Sequence, residues 1–177
     1  MLTDLESMAI TMPEVQNHPN REPFRGVLTI VDAPSDRPPA GARGHRVLLT
    51  RTAAEAAIPS LLGMALDYAP HLDRHDARCK VGVITSAEIV GRKLQLAGYL
   101  FAKDFPEIVR EIERATSTRA AHGEPAGLGM SYEIANAQIA DVRAAVWTLV
   151  AVTFTGAAIL RRDKAAYRNT WIHLSRM

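Results

Sequence analysis

Lys80-Val81-Gly82-Val83-Ile84-Thr85 and Leu94-Gln95-Leu96-Ala97-Gly98-Tyr99-Leu100-Phe101, with Gly91-Arg92-Lys93 as the turn before the second, decide the fold class. Both runs are rich in β-branched and apolar residues and bounded by turn formers, the pattern of strands. In the second, Leu94, Leu96 and Leu100 fall on one face and Gln95, Ala97 and Tyr99 on the other, the period of two of a half-buried strand. Further strands are expected at Phe24 to Val31, Arg46 to Arg51, Leu128 to Ile134 and Trp147 to Phe154. The last is nearly all apolar, as a strand covered on both faces should be.

Two helices are expected. One runs from about Ala53 to Met64, capped by Thr52 with Glu55 as capping-box partner, and Pro59 should kink or split it. Asp104 opens the other, with Glu107 completing its box and Phe105, Ile108, Val109 and Ile112 as its apolar stripe. Strands outnumber helices. The expected fold is therefore α+β but mainly β, a barrel or curled antiparallel sheet with two or three peripheral helices.

Residues 1–23 carry Pro13, Pro19 and Pro23 without a sustained period and read as a flexible arm. Residues 24–160 hold the domain, and residues 161–177 read as a basic tail without a core pattern. The 177 residues are 47% hydrophobic and 23% charged, values of one globular domain. With 21 basic against 19 acidic side chains, a dense cationic face for nucleic acid is not expected. Cys79 has no partner for an intrachain disulfide, so no oxidising compartment is implied. Residues 1–6 are acidic where a signal peptide is basic. The apolar run from Ala144 to Ile159 is interrupted by Thr148, Thr153, Thr155 and Gly156, too short and polar to span a bilayer. A reducing cytosol is the expected address.

Two constellations could carry chemistry. One is His71-Leu72-Asp73-Arg74-His75-Asp76 ahead of Val81-Gly82-Val83; the other is Gly127-Leu128-Gly129-Met130-Ser131-Tyr132-Glu133. A serine hydroxyl is a weak nucleophile until a base within hydrogen-bond reach takes its proton, and an imidazole suits that task near neutral pH. Glycines beside the serine let main-chain N–H groups approach a substrate carbonyl, and one such oxyanion donor lowers a barrier by roughly 3–4 kcal/mol. The two segments thus contain what acyl transfer needs, if folding joins them.

His75-Asp76 followed by Val81-Gly82, after four residues where the pattern has five, resembles the "H-D-x5-[IV]-G" segment of phage prohead proteases of the HK97 type. Gly129-Met130-Ser131-Tyr132 is similar to their glycine–serine strand, and residues 147–154 to the buried strand that closes their domain. The likeness covers roughly Phe24 to Tyr167, with the three motifs in the same order. It implies the assemblin-like β-barrel shared with herpesvirus maturational proteases, with His75 as base and Ser131 as nucleophile. It implies phage scaffold and major capsid protein as substrates, self-association as a homodimer, and action in the bacterial host cytoplasm inside the assembling prohead. No cofactor, metal, membrane or specific nucleic acid is implied. Family members often carry a Glu in the closing strand where Thr148 stands, and Thr155-Gly156-Ala157-Ala158 replaces their proline-containing stretch. The third catalytic member is therefore sought elsewhere: Glu88 first, Asp141 second.

Blander readings stand beside these. His71 and Asp73 read as solvated loop residues, Gly129 as a packing or bulge glycine, and Cys79 as a small buried hydrophobe. A non-catalytic capsid-assembly or scaffold module is the alternative function. A metal-dependent hydrolase using His71 and His75 is a third, since imidazole and carboxylate both bind zinc.

Overall fold

The hairpin on which the fold class turns is present as two long antiparallel strands joined at Gly91, whose φ of 61° is the left-handed value that glycine adopts without penalty. In the computed structural model, which describes residues 7–118 and 126–175, the elements are β1 (Ser7–Ala9), β2 (Glu22–Ile30), β3 (Arg46–Leu49), α1 (Arg51–Leu61), β4 (Ala65–Asp67), β5 (Lys80–Val90), β6 (Lys93–Leu100), α2 (Pro106–Ser117), β7 (Gly129–Ile139), β8 (Val146–Leu160) and β9 (Trp171–Leu174). All nine strands share one sheet in the order β3-β8-β4-β5-β6-β2-β9, with β1 on β5 and β7 on β8. The parallel pairings are those of β3 and β4 with β8. A bridge between Leu128 and Ile172, made by the Ile172 amide donating to the Leu128 carbonyl at 3.2 Å, brings the start of β7 against β9. The sheet so curls round upon itself. The protein is mainly β, a curled and mostly antiparallel sheet with two helices.

Phe24, Leu28, Leu66, Ile84, Leu94, Leu100 and Phe154 are fully buried, and each such side chain stabilises the fold by roughly 1.5–3 kcal/mol relative to exposure. Helix α1 adds Ala53, Ala54, Ala57, Ile58 and Leu61, one stripe at helical spacing. It starts earlier than expected, because Thr50 rather than Thr52 is the cap: its hydroxyl accepts from the Ala53 amide at 3.2 Å. Glu55 pairs with Arg51 one turn away, at 3.1 Å, instead of closing a capping box. Pro59 lies two residues from the last helical residue, where its missing N–H ends the helix without splitting it. Helix α2 has Pro106 in its first turn and no side-chain cap; Asp104 instead accepts from the Asn20 amide group at 2.7 Å. Its Ile108 and Ile112 are buried, with Phe105 and Val109 packed against the core, as the stripe requires.

The described residues near both ends are more ordered than their composition suggests. Part of the proline-containing arm forms β1 along β5, and residues 1–6 lie outside the described residues. The stretch expected as a basic tail supplies β9, which pairs with β2, and buries Ala165, Tyr167, Thr170 and Ile172. Strands β7 and β8 also extend beyond their expected bounds, and their pairing builds the site.

Candidate active site

On β7, Ser131 faces Ala158 of β8 and Glu133 faces Gly156. Side chains alternate along a strand, so Ser131 and Glu133 emerge on the same side, about 7 Å apart along the backbone. The register then jumps from Glu133↔Gly156 to Ile134↔Phe154, leaving Thr155 as an extra residue. Such a bulge re-aims neighbouring side chains. The Phe154 amide meanwhile donates to Ser60 of α1 at 2.8 Å, which ties the bulge to the helix. Gly156 makes room for Glu133: a Cβ there would lie 2.8 Å from Glu133 Oε2 and 3.2 Å from the Ala65 carbonyl oxygen. Gly156→Ala is accordingly expected to displace the Glu133 carboxylate and lower any turnover that depends on it by roughly 10²-fold. Steady-state kinetics beside a thermal melt check this; unchanged turnover in a folded variant would show that Glu133 needs no such space.

His75 stands on the loop between β4 and β5. That loop is pinned by the Asp76 amide donating to Asp67 Oδ1 at 2.9 Å and by the Arg161 amide donating to the Leu72 carbonyl at 2.7 Å. His75 Nδ1 lies 3.0 Å from Glu133 Oε1 and 3.9 Å from Asp67 Oδ2. A carboxylate only accepts, so Nδ1 carries a proton in this contact. The imidazole is 28% exposed, Glu133 21% and Asp67 fully buried. Lys80 Nζ approaches Asp67 Oδ2 at 3.8 Å.

The two carboxyls do not ionise alike. Burial, reinforced by the neighbouring Glu133, pushes Asp67 up to about 7 from 3.8. Burial would also raise Glu133, but the adjoining Asp67 and His75, with the positive charge of Lys80, outweigh it and hold Glu133 below its usual range. Asp67 Oδ2 is buried without a hydrogen-bond partner. The sign for stability follows. Between pH 3.8 and about 7 the folded chain keeps a proton on Asp67 that the unfolded chain has released, so this group's stabilisation is lost as pH rises through that window. Glu133 acts oppositely: its stabilisation is present above 4.5 and lost as pH falls through its depressed value. Thermal melts from pH 4.5 to 7.5 should show a decline that Asp67→Asn removes; equal slopes in the two proteins would contradict a raised Asp67.

His75, Ser131 and Glu133 all line one groove of about 530 Å³, whose wall also includes Leu28, Val47, Ile139, Trp147 and Leu149. No hydrogen bond joins Ser131 to His75 among the described residues. Catalytic hydrogen bonds in unliganded enzymes are often long and tighten when substrate binds. The arrangement offers a hydroxyl, a part-exposed imidazole and a carboxylate that fixes its tautomer, beside an apolar trough.

Of the residues singled out in the sequence, the fold therefore brings His75 and Ser131 to one groove. Glu88 is exposed on β5, paired between Ser7 and Gln95 and outside the groove, so the acid at His75 is Glu133 instead. Asp141 is exposed in the β7–β8 connection, where it accepts from the Arg143 amide at 2.8 Å. Thr148 lies on β8 opposite Leu48. His71 and Asp73 are exposed, and Asp76 accepts from the Arg78 amide. Cys79 packs against the core; burial and the nearby Asp76 push its thiol up, which disfavours the thiolate. Gly129 is a packing glycine, since a Cβ there would come within 2.9 Å of Ala165 Cβ. The Met130 amide, one of the main-chain donors beside Ser131, is bonded to Thr170 Oγ1 at 3.0 Å. Glu133 and Asp67 escaped sequence reading. A signal for Glu133 existed, because in a strand it must share a face with Ser131 two residues before it.

No family model matches the chain, and no curated protein matches it. Among solved structures, the KSHV protease in complex with a hexapeptide phosphonate inhibitor is similar, with a TM-score of 0.49 and 10% identity over 88% of this chain and 66% of that one. The chain thus spans just under two thirds of that protease's length. A likeness of this degree assigns no chemistry.

Proposed function

We propose that the protein is a serine endopeptidase. The observation that carries this reading is the convergence of Ser131, His75 and Glu133 on one groove, with Glu133 3.0 Å from Nδ1 of the imidazole. Glu133 holds the tautomer in which Nε2 is the base, and its charge stabilises the imidazolium formed when that nitrogen takes the serine proton. Ser131 Oγ then attacks the peptide carbonyl; His75 returns the proton to the leaving amine, and water reverses the sequence on the acyl-enzyme. The apolar wall suits a substrate segment with a hydrophobic side chain near the scissile bond.

The finer reading is prohead maturation, and the likeness of residues 75–82, 129–132 and 147–154 to phage prohead proteases supports it. On this reading the substrates are phage scaffold and major capsid protein, the enzyme self-associates, and it works within the assembling prohead in the bacterial host. Co-expression with cognate phage scaffold and capsid proteins should yield shortened products. Full-length products throughout would overturn the prohead assignment. The second reading, a non-catalytic assembly module, draws on the absence of a Ser131–His75 hydrogen bond among the described residues; it predicts capsid binding without cleavage.

A further inference from the structure

The cluster behind the imidazole has a second use. His75 Nδ1, a Glu133 carboxylate oxygen and an Asp67 carboxylate oxygen lie within 4.8 Å of one another, contributed by a loop, β7 and β4. Asp67 is fully buried, and its Oδ2 points into the cluster without a hydrogen-bond partner, an arrangement costly to maintain unless something else uses that atom. We infer that these three side chains form a binding site for one zinc-class divalent cation, which inhibits the peptidase when bound. One imidazole nitrogen with two carboxylate oxygens suits borderline ions such as zinc better than magnesium or calcium, which prefer all-oxygen shells. Ligand atoms around tetrahedral zinc stand about 3.3 Å apart, given bonds of about 2.0–2.1 Å. The spacings of 3.0 Å from Nδ1 to Glu133 and 3.9 Å to Asp67 bracket that value. The Asp76 amide already orients Asp67 from behind, at 2.9 Å, as outer-shell partners do in metal sites. Lys80, 3.8 Å from Asp67 Oδ2, is the competing cation, and its 38% exposed side chain can withdraw into water.

Inhibition follows from the tautomer, and this part rests on the peptidase reading, whereas binding does not. A neutral imidazole with metal on Nδ1 carries its proton on Nε2, so that nitrogen has no lone pair for the Ser131 proton. Calorimetric titration of the full-length chain with zinc chloride is expected to show one ion per chain. Glu133→Gln and Asp67→Asn, both close in shape to the original, should each weaken binding by about tenfold or more. Lys80→Met should tighten it, and His71→Ala should leave it unchanged. No binding at micromolar zinc, or binding lost with His71→Ala but kept in Glu133→Gln and Asp67→Asn, overturns the site. In parallel, zinc should block fluorophosphonate labelling of Ser131. Labelling that persists in protein saturated with zinc overturns the inhibition. A protein that binds zinc yet never labels without it would count against the peptidase and leave the metal site standing.

Discussion

Ser131→Ala should abolish the proposed processing of co-expressed scaffold and capsid proteins, a loss on the order of 10⁶-fold in kcat. The size follows from the step removed: without Oγ there is no acyl-enzyme, and water in the groove would have to attack without a covalent intermediate. Stability should hardly change. Ser131 is only half-buried, its hydroxyl makes no hydrogen bond among the described residues, and the change removes one oxygen without leaving a partner unsatisfied. Gel analysis of the co-expression lysate, with a thermal melt of the purified variant, checks both statements. Undiminished cleavage by a folded Ser131→Ala protein would assign the activity to another residue.

His75→Ala should cost nearly as much, because nucleophile and base act as a unit and their losses do not add. The double variant should therefore be no slower than either single one. Glu133→Gln is the finer probe. The amide can donate toward Nδ1 and so favour the wrong tautomer, with an expected loss on the order of 10⁴-fold in kcat and little change in KM. Glu88→Gln and Asp141→Asn, on exposed positions outside the groove, should retain full activity. Kinetics on a fluorogenic peptide substrate measure all five. Loss of activity in Glu88→Gln with retention in Glu133→Gln would reverse the assignment of the acid.

The strand pattern was largely legible because burial imposes a period of two. Leu94, Leu96 and Leu100 announce an inward face, and all three are buried in β6. The hairpin and the stripe on α2 were likewise readable from local chemistry. What escaped reading depends on distant partners. Strand β9 is four residues long amid basic neighbours, and it is a strand because β2 offers it an edge. The cap of α1 moved to Thr50 because the helix begins directly where β3 ends, beside Asp32, whose carboxylate accepts the Arg51 amide at 2.8 Å.

At the site, His75 and Ser131 were legible as residue types beside glycines and turns, helped by their likeness to a known order of motifs. Glu133 was printed within the same seven-residue stretch as Ser131, yet its role emerges from two non-local facts: the loop bearing His75 folds over β7, and Gly156 opens space for the carboxylate. Asp67 was less accessible still. A lone acid at the end of a three-residue strand carries no pattern, and its importance comes from burial between Glu133, the Asp76 amide and Lys80.

The most direct test is covalent. A fluorophosphonate reacts with a serine whose proton is being taken by a base, so intact-mass and peptide mapping after labelling report whether that activation exists. The account predicts one adduct per chain, on Ser131, that is lost in His75→Ala. An unlabelled wild-type protein, or labelling of Ser131 that is equally fast without His75, would contradict it.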